Sequence, residues 1–259
     1  MLALLEELGL IVIRWFEYLG ALVYLLLDTL SWLGKGKVRA SLVMSQMSLL
    51  GVASLGIVVI TTTFTGMVLA LQLADYAVRY GVTRYAGGGV ALAMAREFGP
   101  MLTAIVVSGR AGSAITAEIG SMKVTEQVDA LRAMAVSPVR YLVVPRFIAL
   151  VVMMPVLATF AGLAGTVGGA YVAKVHANIG YATFFDSIRT VVVWSDVTSG
   201  LIKAMVFAVE ICLISCLHGL RTSGGAAGVG RATTESVVNS MLMVFISNYF
   251  MSEWLFPGQ

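Results

Sequence analysis

The sequence contains few charged residues. Asp, Glu, Lys and Arg make up 12% of its 259 residues, hydrophobic residues make up 59%, and the mean hydropathy is +0.91. Soluble globular domains carry roughly 25% charged residues, so the composition excludes a soluble domain and indicates a polytopic membrane protein. Because a transmembrane helix needs about 20 apolar residues, the chain has room for about five or six helices in one domain covering residues 1–259.

Signals for a metal site, a disulfide or an active site are also scarce. The two cysteines, Cys212 and Cys216, lie one helical turn apart in an apolar segment, where helix geometry disfavours a disulfide. No nucleophile motif or cluster of His and carboxylates occurs within the apolar segments, which argues against an intramembrane enzyme. We therefore predict no catalytic residue and no metal site in this chain.

The glycine-rich stretch SGGAAGVGRATTES superficially resembles a phosphate-binding loop. It lacks the GK[ST] ending of a nucleotide P-loop and precedes an apolar helix instead of following a buried strand. We therefore predict no nucleotide site here. The glycines are expected to form a tight turn, with Thr233 or Thr234 capping the last helix.

The apolar segments predict an all-α protein with five transmembrane helices. Residues 1–40 are apolar but interrupted by Arg14, Glu17 and Asp28, which predicts an interfacial or re-entrant helix. The connection 174–198 is expected to be an outer-face segment without a site, in which His176 has no identifiable partner. The predicted spans are Leu49–Leu73, Val90–Val107, Tyr141–Val172, Leu201–Leu220 and Ser236–Phe256.

Basic residues are distributed unevenly between the connections, and this bias orients the spans. Cytoplasmic connections carry an excess of Lys and Arg, so the distribution predicts that the central connection is cytoplasmic and indicates topology instead of nucleic-acid binding. Eleven of the 17 Lys and Arg residues then lie on the cytoplasmic side: Arg14, Lys35, Lys37, Arg39, Arg110, Lys123, Arg132, Arg140, Arg146, Arg221 and Arg231. Four lie on the other side: Arg79, Arg84, Lys174 and Arg189.

The central polar stretch runs from Gly109 to Arg146. Its apolar residues recur at helical spacing, which predicts an amphipathic helix. Spacing alone leaves open whether this helix lies on the membrane surface or against a partner protein. A surface anchor would be rich in Lys and Arg, whereas this polar face mixes both signs, which favours a groove in a partner. The apolar positions are Val124, Val128, Leu131 and Ala135, and the charged ones are Glu118, Lys123, Glu126, Asp129 and Arg132.

Several charged residues fall inside the apolar spans. Each costs a few kcal/mol there unless it faces protein, water or a polar ligand group. The motif REFGP places Arg96 and Glu97 in the second span, and the fourth span carries Lys203 and Glu210. Neighbours on a helix point about 100° apart, so Arg96 and Glu97 are expected to line a shared cavity or reach the interface. Lys203 lies near the outer end of its span, where it can snorkel.

Small residues recur at four-residue spacing in two spans. One stripe comprises Gly109, Ser113 and Ala117, and the other comprises Gly165 and Gly169 in a GxxxG pattern. Such stripes let helix backbones approach closely. We expect both to be helix-packing positions along which the spans can slide or rock.

Three motifs together resemble the permease subunits of the MlaE/YrbE family of ABC transporters. They are REFGP, GRAGSAITAEIGSMKVTEQVDALRAM and GVGRATTESVV, in that order, and the similarity extends from about Leu49 to Phe256. The resemblance implies a multi-pass homodimer in the bacterial inner membrane, with an N-terminal interfacial helix and five spans. It also implies two cytoplasmic ATPase subunits, which bind ATP and magnesium in place of this chain, and an MCE-domain substrate-binding protein that relays phospholipid.

The resemblance further implies two functional regions. Residues 118–135 correspond to a coupling helix that sits in a groove of the ATPase. Its candidate contact residues are Glu118, Met122, Lys123, Glu126, Gln127, Leu131 and Met134. The candidate lipid-cavity residues are Arg96, Glu97, Lys203 and Asn248, the last at a position where family members often carry an acid.

The function implied is a transport subunit that moves phospholipids between bacterial membranes and so maintains lipid asymmetry. Hydrolysis would reside in the separate ATPase subunit, and no nucleic-acid partner is expected. The alternative is an ATP-independent lipid scramblase or a structural membrane scaffold, for which the central helix would be a surface anchor.

Overall fold

The computed structural model describes residues 2–36 and 38–256, and the side chains of residues 9, 13–36 and 38–256. Lys37, one of the predicted cytoplasmic cations, lies outside the described residues. Within these ranges the regular structure is entirely helical. The α-helices are α1 (Leu2–Gly34), α2 (Ala40–Gln46), α3 (Leu55–Arg79), α4 (Ala86–Ala93), α5 (Gly99–Val107), α6 (Ser113–Val124), α7 (Gln127–Ala133), α8 (Val144–Ala177), α9 (Tyr181–Val191), α10 (Trp194–Leu220) and α11 (Gly225–Leu255).

Short π-helical turns join several of these helices, so the backbone stays helical through the junctions. They cover Met47–Gly51 after α2, Met94–Phe98 between α4 and α5, Ser108–Gly112 between α5 and α6, and Val139–Val143 before α8. Because the backbone stays helical, the predicted second span is part of one 42-residue segment, Thr83–Val124. Single π-helical turns occur frequently at functional sites, and the turn at Met94–Phe98 contains both charges of the REFGP motif.

Among the residues that the structure describes, five helical segments are long and apolar enough to cross a membrane, so the prediction of an all-helical, multi-pass membrane protein is confirmed. They are Ile13–Gly34, Ala40–Arg79, Thr83–Val124, Val139–Ala177 and Trp194–Leu220.

This set includes part of the N-terminal helix and omits α11, which the sequence predicts as the fifth span. Helix α11 is 31 residues long, or about 46 Å, which exceeds the roughly 30 Å of a bilayer core. Its composition is less apolar because it carries Asn239, Ser247 and Asn248. These side chains form hydrogen bonds inside the bundle, to His218, Glu210 and Glu97 respectively.

Helix α1 contacts the bundle with one face. The Tyr18 hydroxyl lies 3.4 Å from His218 Nε2 in the last turn of α10. Near the other end of α1, the Trp32 ring lies 5.6 Å from the Arg140 guanidinium, just before α8. Large apolar side chains on the remaining surface, such as Phe16 and Tyr24, are exposed. An exposed apolar face suits contact with lipid, and the interfacial placement of α1 stays a prediction.

The main core lies among α5, α6, α8 and α10, and a second core lies among α3, α4, α8 and α9. In the second core, α3 and α8 approach so closely that a side chain at Gly66 would collide with the backbone of Gly165. A Cβ atom at Gly169 would lie 2.9 Å from Val90 and 3.2 Å from the Gly66 carbonyl oxygen. The two glycines of the GxxxG pattern therefore lie in this helix contact.

On α6 the closest helix approach involves a different row from the predicted stripe. A Cβ atom at Gly112 would lie 3.0 Å from Ser215 Oγ, and one at Gly120 would lie 2.9 Å from Thr222 Oγ1. Between them, the Thr116 hydroxyl donates to the Ser215 carbonyl oxygen over 3.1 Å. The predicted stripe of Gly109, Ser113 and Ala117 lies on the neighbouring, more accessible side of the helix, where Gly109 is exposed.

The glycine-rich stretch corrects the prediction of where α11 begins. Gly224 and Gly225 adopt left-handed φ angles of 85° and 64°, which glycine does readily, and the helix begins at Gly225. Thr233 and Thr234 lie inside the helix, where their hydroxyls donate to the carbonyl oxygens of Val229 and Gly230. The prediction that one of them caps the helix is therefore wrong.

The substitution Gly66→Val is expected to destabilise the protein because the new side chain would collide with the α8 backbone. Forcing atoms into a packed contact typically costs about 1–3 kcal/mol. Thermal unfolding in detergent should show an apparent Tm lowered by roughly 5 °C or more. Gly56→Val is the matched control, since Gly56 lies on the same helix with open space around its Cα. Equal Tm values for the two variants would contradict this account of the contact.

Candidate functional site

A cluster of charged side chains forms where α10 and the end of α11 meet the π-helical turn Met94–Phe98. The turn presents Arg96 and Glu97 to the first half of α10. Asp196 and Lys203 are seven residues apart on α10 and therefore lie on the same face. Opposite charges thus face each other in two adjacent pairs.

The first pair joins Glu97 and Lys203. Lys203 Nζ lies 2.6 Å from Glu97 Oε1, and its side chain is 0% exposed. Two residues of α11 complete the arrangement: Lys203 donates to Ser252 Oγ over 2.7 Å, and Ser252 donates to Glu97 Oε1 over 3.0 Å. Asn248 Nδ2 donates to the other carboxylate oxygen of Glu97 over 3.1 Å. The Glu97 carboxylate is therefore the centre of a network that links three helical segments.

The second pair joins Arg96 and Asp196. Arg96 binds Asp196 Oδ1 through Nη2 over 2.6 Å and through Nε over 2.8 Å. The other carboxylate oxygen of Asp196 accepts a hydrogen bond from the backbone N–H of Val193, over 2.9 Å, at the start of α10. The carboxylate therefore fixes the arginine and also stabilises the helix N-terminus.

An aromatic ring covers both cations. The Phe256 ring centroid lies 4.3 Å from the Arg96 guanidinium and 5.5 Å from Lys203 Nζ. Cations at these distances from a ring face are attracted to its π electrons. Phe256 thereby attaches the end of α11 to the cluster.

The two pairs balance in charge but differ in accessibility. Asp196 and Lys203 are buried, whereas 18% of the Arg96 side chain and 33% of the Glu97 side chain remain accessible. Arg96 and Glu97 are therefore the charged members that a ligand can reach. A guanidinium is well suited to bind a phosphate group, because its planar donors match the phosphate oxygens.

An apolar cavity of about 340 Å³ adjoins this cluster. Ala95 and Val197 line it, and each is next in sequence to a member of the Arg96–Asp196 pair. Thr159 and Gly162 of α8 and Phe185 of α9 lie on other walls. A polar cluster beside an apolar cavity is an arrangement that suits an amphiphilic ligand.

The structure thus brings together all four candidate lipid-cavity residues, Arg96, Glu97, Lys203 and Asn248. It corrects the expectation that Lys203 snorkels, because the ammonium group is satisfied inside the bundle by Glu97 and Ser252. Asp196 lies in the connection 174–198, for which the sequence predicts no site, but the structure makes it the partner of Arg96. The seven-residue spacing between Asp196 and Lys203 is the signal that could have identified it.

The predicted coupling segment, 118–135, is not a continuous helix. Helix α6 ends at Val124 and α7 begins at Gln127, because Glu126 adopts a left-handed conformation with a φ of 62°. Ala135 closes α7 in a similar way, with a φ of 56°. Non-glycine residues in this region cost roughly 1–2 kcal/mol each, so surrounding contacts must hold the two turns in place.

The candidate contact residues divide into inward-facing and outward-facing sets. Met122 and Leu131 pack partly buried against the main core, alongside the fully buried Val128. Glu126, Gln127 and Met134 are exposed. The exposed set defines the surface of α7 that a partner protein can contact.

Glu118 and Lys123 make ion pairs within the chain. Glu118 Oε2 lies 2.6 Å from Arg146 Nη2 at the start of α8. Lys123 Nζ lies 2.7 Å from Asp129 Oδ2, and its hydrogen bond lowers the pKa of Asp129. The Arg132 guanidinium lies 2.9 Å from the same carboxylate. These pairs link α6, α7 and α8 to one another.

Other polar groups do not assemble into a metal site in the described part of the chain. Groups of three or more His, Cys, Asp or Glu that could hold a metal ion are absent there. Cys212 and Cys216 are both buried, and neither forms a disulfide. His176 has an unforeseen partner, since its Nε2 lies 3.0 Å from Asp75 Oδ1.

Glu97→Gln is expected to destabilise the protein more than Lys203→Met. The glutamine variant leaves a fully buried ammonium group without an anion, which costs about 3 kcal/mol or more. The methionine variant leaves a carboxylate that is partly accessible to solvent and retains Asn248 and Ser252. Apparent Tm values in detergent would test this order, and the double variant should be more stable than Glu97→Gln alone. An equal decrease of the apparent Tm in the two single variants would refute the prediction that Glu97→Gln is the more destabilising change.

The chain matches the family model described as Permease MlaE over residues 43–254. It is 41% identical over 244 residues to a probable ABC transporter permease protein of Synechocystis, covering 94% of this chain and 93% of the relative. It is 38% identical over 255 residues to the intermembrane phospholipid transport system permease protein MlaE of Haemophilus influenzae, covering 97% of each. A chloroplast protein of Arabidopsis thaliana, TRIGALACTOSYLDIACYLGLYCEROL 1, is 38% identical over 224 residues, covering 86% of this chain and 64% of the relative. The match over most of the chain confirms the family resemblance of its motifs, and the chain belongs to the MlaE permease family.

Proposed function

We propose that this chain is the membrane-spanning permease subunit of an ABC transporter that moves phospholipids between membranes and so maintains lipid asymmetry. The observation that carries this proposal is the similarity, over 97% of both chains, to a permease named for intermembrane phospholipid transport. The polar cluster and its adjoining apolar cavity supply groups that suit a phospholipid. The chain acts as a transport subunit, and ATP hydrolysis resides in a partner.

In this mechanism the two ends of the lipid meet different parts of the site. Arg96 binds the phosphate of the headgroup, and the neighbouring apolar walls accept an acyl chain. Glu97 and Lys203 hold the turn, α10 and α11 together around the bound headgroup. Asn248 keeps Glu97 oriented as a neutral hydrogen-bond donor.

The exposed surface of α7 and its preceding turn contacts the ATPase. ATP and magnesium bind to the ATPase, and closure of the two ATPase subunits pushes the coupling segments together. The close glycine contacts between helices then allow the spans to shift as packed units. The cavity narrows and releases the lipid.

The proposed assembly is a homodimer in the bacterial inner membrane, with the end that carries α7 in the cytoplasm. Two ATPase subunits bind at that end, and an MCE-domain substrate-binding protein exchanges phospholipid with the other. The bias of Lys and Arg in the connections supports this orientation. The mixed charge around α7 supports a protein partner over an anionic lipid surface.

Charge reversal at Glu126 is expected to weaken binding of the ATPase. Glu126 is exposed at the turn before α7, and a like charge in an interface can reduce affinity by about tenfold or more. The tagged chain would be purified from its native membrane in mild detergent, and co-purifying proteins would be quantified by mass spectrometry. A stoichiometric P-loop ATPase is expected with the unmodified chain, and much less with Glu126→Lys.

Two variants control for other causes of that loss. Glu126→Gly removes the charge while suiting the left-handed backbone, so it separates charge from conformation. Asp186→Lys reverses an exposed carboxylate on α9, far along the chain from the coupling segment, and should not affect ATPase recovery. An unmodified chain that is purified without an ATPase would instead favour the scramblase or scaffold alternative.

Arg96→Gln is expected to reduce phospholipid transfer by about tenfold, because it removes the charged donor proposed to bind the headgroup. Transfer of a labelled phospholipid between proteoliposomes and the MCE-domain partner would measure the effect. Arg84→Gln is the matched control, since Arg84 is exposed and stacks on Tyr85 instead of joining the cluster. Normal transfer by Arg96→Gln at equal protein amount would exclude Arg96 from the lipid site.

A further inference from the structure

Arg146, near the start of α8, is a buried arginine with an unusual set of contacts. Its side chain is 4% exposed, and Nη2 forms the 2.6 Å ion pair with Glu118. Nη1 donates to the Leu142 carbonyl oxygen over 2.6 Å, while Nε is buried without a hydrogen-bond partner in the described part of the chain. Moving a guanidinium out of water costs several kcal/mol, and apolar residues of similar volume often replace buried ion pairs without loss of stability. Stability alone therefore does not account for a charge at this position.

The ion pair joins two helices that both contribute to the main core but make few direct backbone contacts with each other. Glu118 lies on α6, which packs against α10 and α11 and meets the end of α10 where Gly120 approaches Thr222. Arg146 lies on α8, whose largest contact is with α3. Helix α6 precedes α7 in the chain and α8 follows it. The ion pair therefore connects the helices on either side of the coupling segment.

Helix α7 is itself held firmly against α6 and the main core. The buried side chain of Val128 anchors it in the main core. Asp129 binds Lys123 on α6 and Arg132 on α7 at the same time. The left-handed turns on either side of α7 fix its direction. A force applied to α7 therefore reaches α6 through these contacts, and the Glu118–Arg146 pair links α6 to α8.

We propose that Arg146 is a positioning residue for transport, whose ion pair with Glu118 makes α6 and α8 respond together when the ATPase displaces α7. The inference rests on the proposed contact between α7 and the ATPase. The exposed surface of α7 does not include Arg146, so loss of the pair leaves ATPase binding intact. Without the pair, motion of α7 separates α6 from α8, and the energy of ATP hydrolysis is not transmitted to the lipid cavity.

The test is Arg146→Met in the complete transporter, reconstituted in proteoliposomes of phosphatidylethanolamine and phosphatidylglycerol. Methionine fills the space without a charge, and Glu118, which is 48% exposed, can be solvated. ATPase co-purification and ATP hydrolysis should match the unmodified complex. Transfer of labelled phosphatidylglycerol should fall about tenfold, a usual size for allosteric coupling, so the ATP hydrolysed per lipid transferred should rise about tenfold.

Three further variants separate positioning from a purely structural role. Arg189→Met removes an arginine that is 85% exposed on α9. This variant should leave the ratio of ATP hydrolysed to lipid transferred unchanged. Arg146→Lys retains the charge and should keep the ratio closer to that of the unmodified complex. Glu118→Gln breaks the ion pair while leaving Arg146 in place, so it should raise the ratio even if Arg146→Met fails to assemble.

An unchanged ratio in both Arg146→Met and Glu118→Gln would overturn the proposal. A parallel fall of hydrolysis and transfer in both would also overturn it, since that pattern indicates damage to the complex and not uncoupling. The unmodified complex tests the underlying function separately. If it fails to bind an ATPase or to transfer phospholipid, the proposed function itself is wrong, whatever the variants do.

Discussion

The ion pair between Glu97 and Lys203 is the interaction on which the arrangement of the site depends. An ammonium group with no exposure requires an anion inside the bundle, because burial of a lone charge costs far more than packing can recover. Glu97 supplies this anion and also binds Ser252 and Asn248. The requirement to pair one buried cation therefore fixes the relative positions of the π-helical turn, α10 and the end of α11.

Close packing of small residues allows these charged elements to meet. Gly66 lets α3 and α8 touch backbone to backbone, and Gly200 brings α10 against the carbonyl of Ala95, directly before Arg96. In a bilayer, helix association relies on such van der Waals contact and on hydrogen bonds between helices, because lipid is as apolar as leucine. The glycines thus set the distance between the helices, and the charged pairs set how the helices are aligned along one another.

The proposed coupling segment, residues 118–135, follows the same physical rules. Its inner side is anchored by the buried Val128, and its charges are largely paired within the chain. What remains for a partner is a small exposed surface on a rigid support. A rigid support is what mechanical coupling requires, because a flexible one would absorb displacement without moving the spans.

Much of the architecture and of the site was determined by the sequence itself. Low charge, long apolar segments and the three family motifs predicted an all-helical permease, since hydrophobicity and residue spacing are local properties of the chain. The same local information identified Arg96 and Glu97 as functional candidates, because a charge in an apolar span needs a compensating partner. The partners themselves were decided only by the tertiary structure. Asp196 lies 100 residues from Arg96, and Arg146 pairs with Glu118 across α7. Spacing within one helix, such as the seven residues between Asp196 and Lys203, shows which side chains share a face but not which residue of another helix they contact. The break at Glu126 likewise depends on contacts made by both sides of the turn, which override local helix propensity.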